Sequence, residues 1–112
     1  MESLVFVVSD SLGETADRVA RAAASQFREQ SFDIRRIPYV TAKEMVDEII
    51  AEASQQQSLI VHTLVFPELR EYIDRLAEEH GIPCVDIMGP MLDAFSQVTQ
   101  DTPRDRKSTR LN

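Results

Sequence analysis

The segment LVFVVSDSLGETADRVARAAASQF, residues 4–27, constrains the fold more than any other part of this chain. Its apolar start, residues 4–8, predicts a strand that is covered on both faces. Apolar side chains then recur at helical spacing, at Ala16, Val19, Ala20, Ala23, Ala24 and Phe27. A strand that leads through a polar, glycine-bearing turn into a helix directs backbone N–H groups at the space above the sheet, where anions commonly bind.

The strand–helix alternation recurs three more times along the chain. Strands are predicted over 32–39, 59–61 and 83–87, and apolar helical stripes begin near Ala42, Pro67 and Gly89. Thr41 and Glu44 have the spacing of a capping box for the second helix. Gly81 is the expected terminator of the third helix.

Repeated strand–helix units predict an α/β fold with a small parallel four-stranded sheet, flanking helices and a Rossmann-like or flavodoxin-like order. The first and third strands are the most apolar, so we expect them at the centre. The second strand carries Arg35 and Arg36 and is expected at an edge. The predicted strand order is 2-1-3-4.

Ligands of such sheets bind beyond the carboxyl ends of the strands, where the strand order reverses. That rule brings the turn after the first strand close to the residues after the third. The candidate phosphate- or ligand-binding residues are Ser9, Asp10, Ser11, Gly13, Glu14, Thr15, Arg18 and Thr63. A second interpretation stays open, because Ser11 and Glu14 also have the spacing of an S-x-x-E capping box, and the turn would then only begin a helix.

No catalytic residue can be assigned from the sequence. The chain contains neither a Walker A motif nor a dinucleotide-binding glycine fingerprint. His62 follows a strand and is a candidate base, but no partnered nucleophile lies nearby in the sequence. His62 and His80 are far apart and no Cys/His spacing resembles a ligand set, so no metal site is predicted.

Charge and cysteine content limit the classes of partner. The formal net charge is −7, and since residues 104–112 contribute +3, residues 1–103 carry −10. Such an acidic body argues against nucleic-acid binding. One cysteine, Cys84, excludes an internal disulfide, and no stretch resembles a signal peptide or a membrane span. We therefore expect a cytoplasmic protein with no nucleic-acid or membrane partner.

Four segments together resemble a known family: VSDSLGETADRVARAAASQF, RRIPYV, TLVFPELREYI and DIMGPMLDAF. They are similar, in order and spacing, to the amino-terminal half of the pyruvate, phosphate dikinase regulatory proteins. These proteins are related to the phosphoenolpyruvate synthase regulatory proteins. The resemblance extends from Leu4 to about Phe95, and the VSDSLGETA and RRIPYV segments favour the dikinase-regulating branch.

This resemblance implies a bifunctional serine/threonine protein kinase and phosphotransferase. Members of the family phosphorylate a threonine of pyruvate, phosphate dikinase with ADP as donor, which inactivates that enzyme. They also remove the phosphate by phosphorolysis, with inorganic phosphate as acceptor. ADP and inorganic phosphate are thus the implied substrates, Mg²⁺ is a candidate cofactor, the dikinase is the implied partner, and the full-length protein is a candidate homodimer. None of these ligands is assigned to residues of this chain.

The chain departs from the family in one respect. The family's P-loop-like segment lies in the carboxyl-terminal half, and nothing here matches it. We interpret residues 1–100 as the amino-terminal α/β domain of a truncated regulator, inactive by itself, and residues 101–112 as a disordered, non-native tail. The alternatives are a stand-alone phosphate- or nucleotide-binding α/β domain and a non-catalytic docking or dimerisation domain.

Overall fold

All four predicted strand–helix pairs are present in the computed structural model, which describes residues 2–27 and 31–100. In chain order the elements are β1 (Ser3–Val8), α1 (Glu14–Ala24), β2 (Phe32–Ile37), α2 (Lys43–Ala53), β3 (Ser58–His62), α3 (Pro67–Glu79), β4 (Cys84–Asp86) and α4 (Met88–Thr99). Pro67 is the first residue of α3, where its missing N–H costs no hydrogen bond. Gly81 has a φ of +68° just after α3, so its predicted role as a helix terminator is confirmed.

The four strands form one parallel sheet in the order β2-β1-β3-β4, which confirms the predicted fold class and strand order. β1 lies at the centre because its apolar run is buried from Leu4 to Val8. Its last residue, Val8, lies beside Ile37 of β2 and His62 of β3. The strand order reverses at β1, so its carboxyl end opens between two neighbouring loops.

The two faces of the sheet are covered to different extents. Leu4, Phe6 and Val8 point to one face and pack in a large core with residues of α2 and α3. Val5 and Val7 point to the other face, where the core is smaller and contains Ala16 and Ala20 of α1. Because successive side chains of β1 point to opposite faces, alternate residues enter the large core under α2 and α3 and the smaller core under α1.

The capping box predicted for α2 is wrong, and so is the capping box that was left open as an alternative for α1. α1 begins at Glu14 with Gly13 as its N-cap, and α2 begins at Lys43 with Ala42 as its N-cap. Neither helix has a side-chain hydrogen bond at its cap. A capping box requires its glutamate at the third helical position, but Glu14 is the first and Glu44 the second.

The ends of the chain's apolar stripes are less buried than their spacing predicts. α1 ends at Ala24, so Phe27 lies beyond the helix and is 59% exposed, and Val19 is 45% exposed. In α4 the buried residue is Gly89, while Met91, Phe95 and Val98 are exposed.

The predicted non-native tail, residues 101–112, lies outside the described residues. No helix within the described ranges combines the length and apolar character needed to cross a membrane.

Candidate functional site

A cleft of about 260 Å³ opens at the carboxyl end of β1. β1 and β3 lie side by side, and the backbone N–H of Thr63 donates to the carbonyl of Val8 at 3.1 Å, which joins the two strand ends. The structure brings seven of the eight sequence-predicted residues together in the wall of this cleft: Ser9, Asp10, Ser11, Gly13, Glu14, Thr15 and Thr63. Leu12, Val65 and Met88 complete the wall.

Arg18 is the predicted residue that the structure does not bring to the cleft. It lies exposed on α1 and is not among the wall residues. Its position follows from the helix start, because a helix that begins at Glu14 places residue 18 more than one turn from the cleft. The acidic side chains of the cleft are therefore not neutralised by Arg18.

Ser9 and Ser11 shape the turn after β1. Ser9 is buried, and its hydroxyl oxygen accepts the backbone N–H of Ser11 at 3.0 Å. The two hydroxyls lie 3.3 Å apart. The hydroxyl of Ser9 is thus engaged inside the turn, whereas Ser11 is exposed at the mouth of the cleft.

Asp10 joins the two loops that flank the cleft. Its Oδ2 accepts the backbone N–H of Val65 at 3.0 Å, across 55 positions of sequence. This bond holds the loop after β1 against the loop after β3 and sets the width of the opening. The carboxylate has a structural role as well as a place in the cleft wall.

The amino-terminal end of α1 contributes polar backbone groups to the cleft. The first helical bond beyond the cap runs from the N–H of Asp17 to the carbonyl of Gly13 at 3.0 Å. No side chain caps the helix, so the first-turn N–H groups of Glu14 and Thr15 are available to a ligand. These groups carry partial positive charge and favour anions.

Gly13 and Arg36 meet on the inner side of the turn. Gly13 has a φ of +88°, and a Cβ added to it would lie 3.0 Å from Cγ of Arg36.

The guanidinium of Arg36 reaches Asp17 at 3.1 Å, and Arg21 contacts the same carboxylate at 3.1 Å. Burial acts to raise the pKa of Asp17, but the hydrogen bonds and charges of the two arginines outweigh it and hold that pKa below its ordinary value. From the sequence, Arg36 was expected to be solvated on an edge strand or to meet a partner or a phosphate, because no local pattern reveals a contact from β2 to α1.

A second polar cluster lies between β3 and α3, on the face of the sheet that α3 covers. His62 is 0% exposed, and its Nε2 lies 2.9 Å from Oδ1 of Asp74. The backbone N–H of Leu64 donates to Nδ1 of His62 at 3.3 Å, so Nε2 carries the ring proton and donates to Asp74. Sequence reasoning considered His62 as a base without a partner; its partner is twelve residues away on α3.

Cys84 completes this cluster from β4. Its thiol lies 3.4 Å from Oδ1 of Asp74. Burial, followed by the negative charge of Asp74, raises the pKa of the Cys84 thiol well above its usual range. The thiol is therefore protonated at neutral pH and is not a free nucleophile.

Comparisons with known proteins agree with the resemblance carried by the motifs. The sequence profile of the family described as kinase/pyrophosphorylase matches residues 5–111. A pyruvate, phosphate dikinase regulatory protein of Carboxydothermus hydrogenoformans is 48% identical over 101 residues, which cover 90% of this chain and 36% of the relative. One from Halalkalibacterium halodurans is 50% identical over 101 residues, which cover 90% of this chain and 37% of the relative. The chain thus spans a little over a third of the length of these curated relatives.

Proposed function

This chain belongs to the kinase/pyrophosphorylase family, and from that premise we propose that it forms part of a regulator of pyruvate, phosphate dikinase. The observation that carries the proposal is the identity of about half of all aligned residues with relatives of that name over 90% of the chain. In the proposed kinase reaction, a threonine oxygen of the dikinase bonds to the β-phosphorus of ADP. The bond between the β-phosphorus and the bridging oxygen of ADP breaks, AMP leaves with that oxygen, and the threonine proton is released.

The second proposed reaction removes the phosphate from the threonine by phosphorolysis and is not the chemical reverse of the first. An oxygen of inorganic phosphate bonds to the phosphorus of phosphothreonine, and the threonine oxygen leaves and takes up a proton. The products are pyrophosphate and unmodified threonine. Both reactions move a phosphoryl group between oxygens, so they depend on positioning the group and stabilising its charge.

We assign the cleft at the carboxyl end of β1 to the binding of a phosphate group in these reactions. The uncapped first turn of α1 supports the assignment, because its N–H groups lie in the cleft wall with no side-chain acceptor. The hydroxyls of Ser11 and Thr15 supply further donors. The capping-box interpretation of this turn has lost its basis, since neither Ser11 nor Glu14 occupies a capping position.

The carboxylates of Asp10 and Glu14 would repel a bare phosphate in this cleft. Carboxylate and hydroxyl oxygens are, however, the ligands that Mg²⁺ prefers, and Mg²⁺ usually binds with phosphate oxygens as further ligands. The wall therefore fits a phosphate that is bound together with Mg²⁺. When bound, the ion supplies charge neutralisation, while the amides of α1 orient the phosphate.

Calorimetric titration of the chain with inorganic phosphate, ADP and AMP tests this assignment, with and without Mg²⁺. We expect binding that depends on Mg²⁺ and that weakens about tenfold in a Ser11→Ala/Thr15→Ala variant, since two donors are lost. Ser25→Ala is the matched control, because Ser25 lies at the opposite end of α1 and its hydroxyl donates to Ala22. No binding, or binding equally strong in the double variant, would contradict the assignment.

A second candidate function is docking without a bound nucleotide. An apolar groove of about 400 Å³ lies on the thinly covered face of the sheet, between α1 and the strands. Its wall includes Val19, Phe27, Phe32, Val85 and Ile87, and the first two are about half exposed. Contiguous exposed apolar surface of this kind commonly contacts another protein or another part of the same protein. Capture of purified dikinase by a chain that binds none of the small ligands would favour this candidate.

A further inference from the structure

His62, Asp74 and Cys84 come from three different elements and converge behind β3. His62 ends β3, Asp74 lies on α3 and Cys84 begins β4. The ligand-type atoms of the three side chains all lie within 4.8 Å of one another. Two of the separations are short, 2.9 Å between Nε2 of His62 and Oδ1 of Asp74, and 3.4 Å between that oxygen and Sγ of Cys84.

We propose that these three side chains form a binding site for a zinc-class divalent ion. Imidazole nitrogen, thiolate sulfur and carboxylate oxygen are the ligands that Zn²⁺ takes in proteins. Bonds of about 2.0–2.3 Å around a tetrahedral ion place the ligand atoms about 3.3–3.8 Å apart. The separations of 2.9 Å and 3.4 Å lie close to that spacing, and the third does not exceed 4.8 Å, so small movements of these side chains would bring all three atoms around one ion. This site is separate from the proposed phosphate cleft, whose wall includes none of the three residues.

The protons of the cluster can be accounted for when an ion binds. The ion takes the place of the thiol proton of Cys84, which is released to solvent. At His62 the ring proton moves from Nε2 to Nδ1, so that Nε2 is free to bind the ion. The contact from the N–H of Leu64 to Nδ1 is lost, and at 3.3 Å it is a long hydrogen bond.

Asp86 is placed to receive the relocated ring proton. Its Oδ1 lies 4.0 Å from Nδ1 of His62, on the neighbouring strand. A histidine that binds a metal through one nitrogen usually donates the other N–H to a carboxylate or carbonyl, which fixes the ring. Asp86 is therefore a positioning residue of the site rather than a ligand.

The ion would enter from the side of α3. The side chain of Asp74 is 44% exposed, whereas His62 is fully buried, so solvent reaches the cluster past Asp74. With three protein ligands, the fourth position of a tetrahedral ion is left to a water molecule from that side. The bound ion would link α3 to β3 and β4, and we expect Zn²⁺ to raise the melting temperature of the chain.

Titration of the whole 112-residue chain with Co²⁺, followed by competition with Zn²⁺, tests the proposal directly. Co²⁺ bound to a thiolate gives a sulfur-to-metal charge-transfer band in the near ultraviolet, and tetrahedral Co²⁺ gives intense d–d bands. We expect one Co²⁺ per chain, with both signatures, displaced by one Zn²⁺. Cys84→Ser should abolish the charge-transfer band, and Asp74→Asn should weaken binding at least about tenfold. Circular dichroism would verify that both variants fold.

His80→Gln is the matched control, because His80 is the second of the two histidines and lies exposed at the end of α3. It should bind Co²⁺ as the unaltered chain does. Asp86→Asn should weaken binding about 10–100-fold while leaving the charge-transfer band in place. The proposal is overturned if the folded chain shows no charge-transfer band, or if Co²⁺ binds equally well to Cys84→Ser and Asp74→Asn. The His62–Asp74 hydrogen bond would then serve only to hold α3 against the sheet.

Discussion

Gly13 lies between β1 and α1, in the wall of the cleft. Its φ of +88° lies in the left-handed region, which costs a residue with a Cβ about 1–2 kcal/mol. A Cβ would also lie 3.0 Å and 3.2 Å from Cγ and Cδ of Arg36, whose guanidinium is held by Asp17. We expect Gly13→Ala to lower the free energy of unfolding by about 2–3 kcal/mol, measured by urea denaturation.

Gly81 provides the matched control for this substitution. It also has a positive φ, +68°, but nothing lies within 4 Å of the position of its Cβ. Gly81→Ala should therefore lower the free energy of unfolding by about 1 kcal/mol, the cost of placing a Cβ on a residue with positive φ. Equal losses at the two positions would show that the contact with Arg36 contributes nothing.

At the scale of single residues, the sequence pointed to seven residues of the cleft wall but missed Leu12, Val65 and Met88, and it did not reveal the contacts that each residue makes. Ser9 to Thr15 were recognisable because small polar residues and glycine crowd the turn after an apolar strand. The predicted capping role of Ser11 failed because a capping pattern is satisfied by spacing alone, while the register of the helix start is set by packing. The hydrogen bond from Val65 to Asp10 spans two loops and has no local signal.

At the scale of elements, Asp17 ties α1 to β2 through its contact with Arg36. The pKa of this carboxyl lies below its ordinary value of 3.8, so the ionised form stabilises the fold. That stabilisation is fully present above about pH 4 and is lost as the pH falls through the lowered pKa. We expect Asp17→Asn to lower the free energy of unfolding by about 1 kcal/mol at pH 7, and we expect this loss to shrink as the pH falls through the lowered pKa of Asp17.

Asp33→Asn is the control for this prediction. Asp33 also pairs with an arginine, Arg35, but both side chains are more than two-fifths exposed, and they belong to one strand. Its removal should change the stability by less than about 0.5 kcal/mol. Thermal denaturation of both variants across this pH range would decide the matter, and a pH-independent loss for Asp17→Asn would refute the linkage.

The elements themselves were well predicted, for a physical reason. A buried parallel strand needs a continuous apolar run, and a helix on a sheet needs an apolar stripe of period 3.6, so both leave a strong local pattern. The pattern overestimated burial in α1 and α4. An apolar stripe shows that one face of a helix can be buried. Whether another part of the protein covers Val19 or Phe95 depends on residues outside that helix, so the helix sequence does not predict it.

At the scale of the whole molecule, the described residues leave an apolar groove uncovered beside α1. Val19 is 45% exposed in its wall, so Val19→Ser removes apolar contact area from the groove at little cost to the core. We expect Val19→Ser to weaken capture of purified pyruvate, phosphate dikinase, measured by surface plasmon resonance. Its melting temperature should fall by no more than a few degrees.

Val98→Ser on α4 is the control for the groove. Val98 is 83% exposed and does not belong to the groove wall. Its substitution should leave capture unchanged. Equal capture by the Val19 and Val98 variants would contradict docking of the dikinase in the groove. Sedimentation velocity would then test a second copy of the chain as its occupant.

The α/β class, the strand order 2-1-3-4 and the position of Ser9–Thr15 beside Thr63 at one sheet edge can be read from the amino-acid pattern alone. All three follow from local periodicity together with the rules of parallel sheets, which need no knowledge of particular contacts. The packed fold was needed to show that Arg18 lies outside the cleft, that Arg36 packs against Gly13, and that His62 lies beside Asp74 and Cys84. Those contacts join residues from different elements, and their distances depend on how helices pack on the sheet, for which a linear spacing carries no signal.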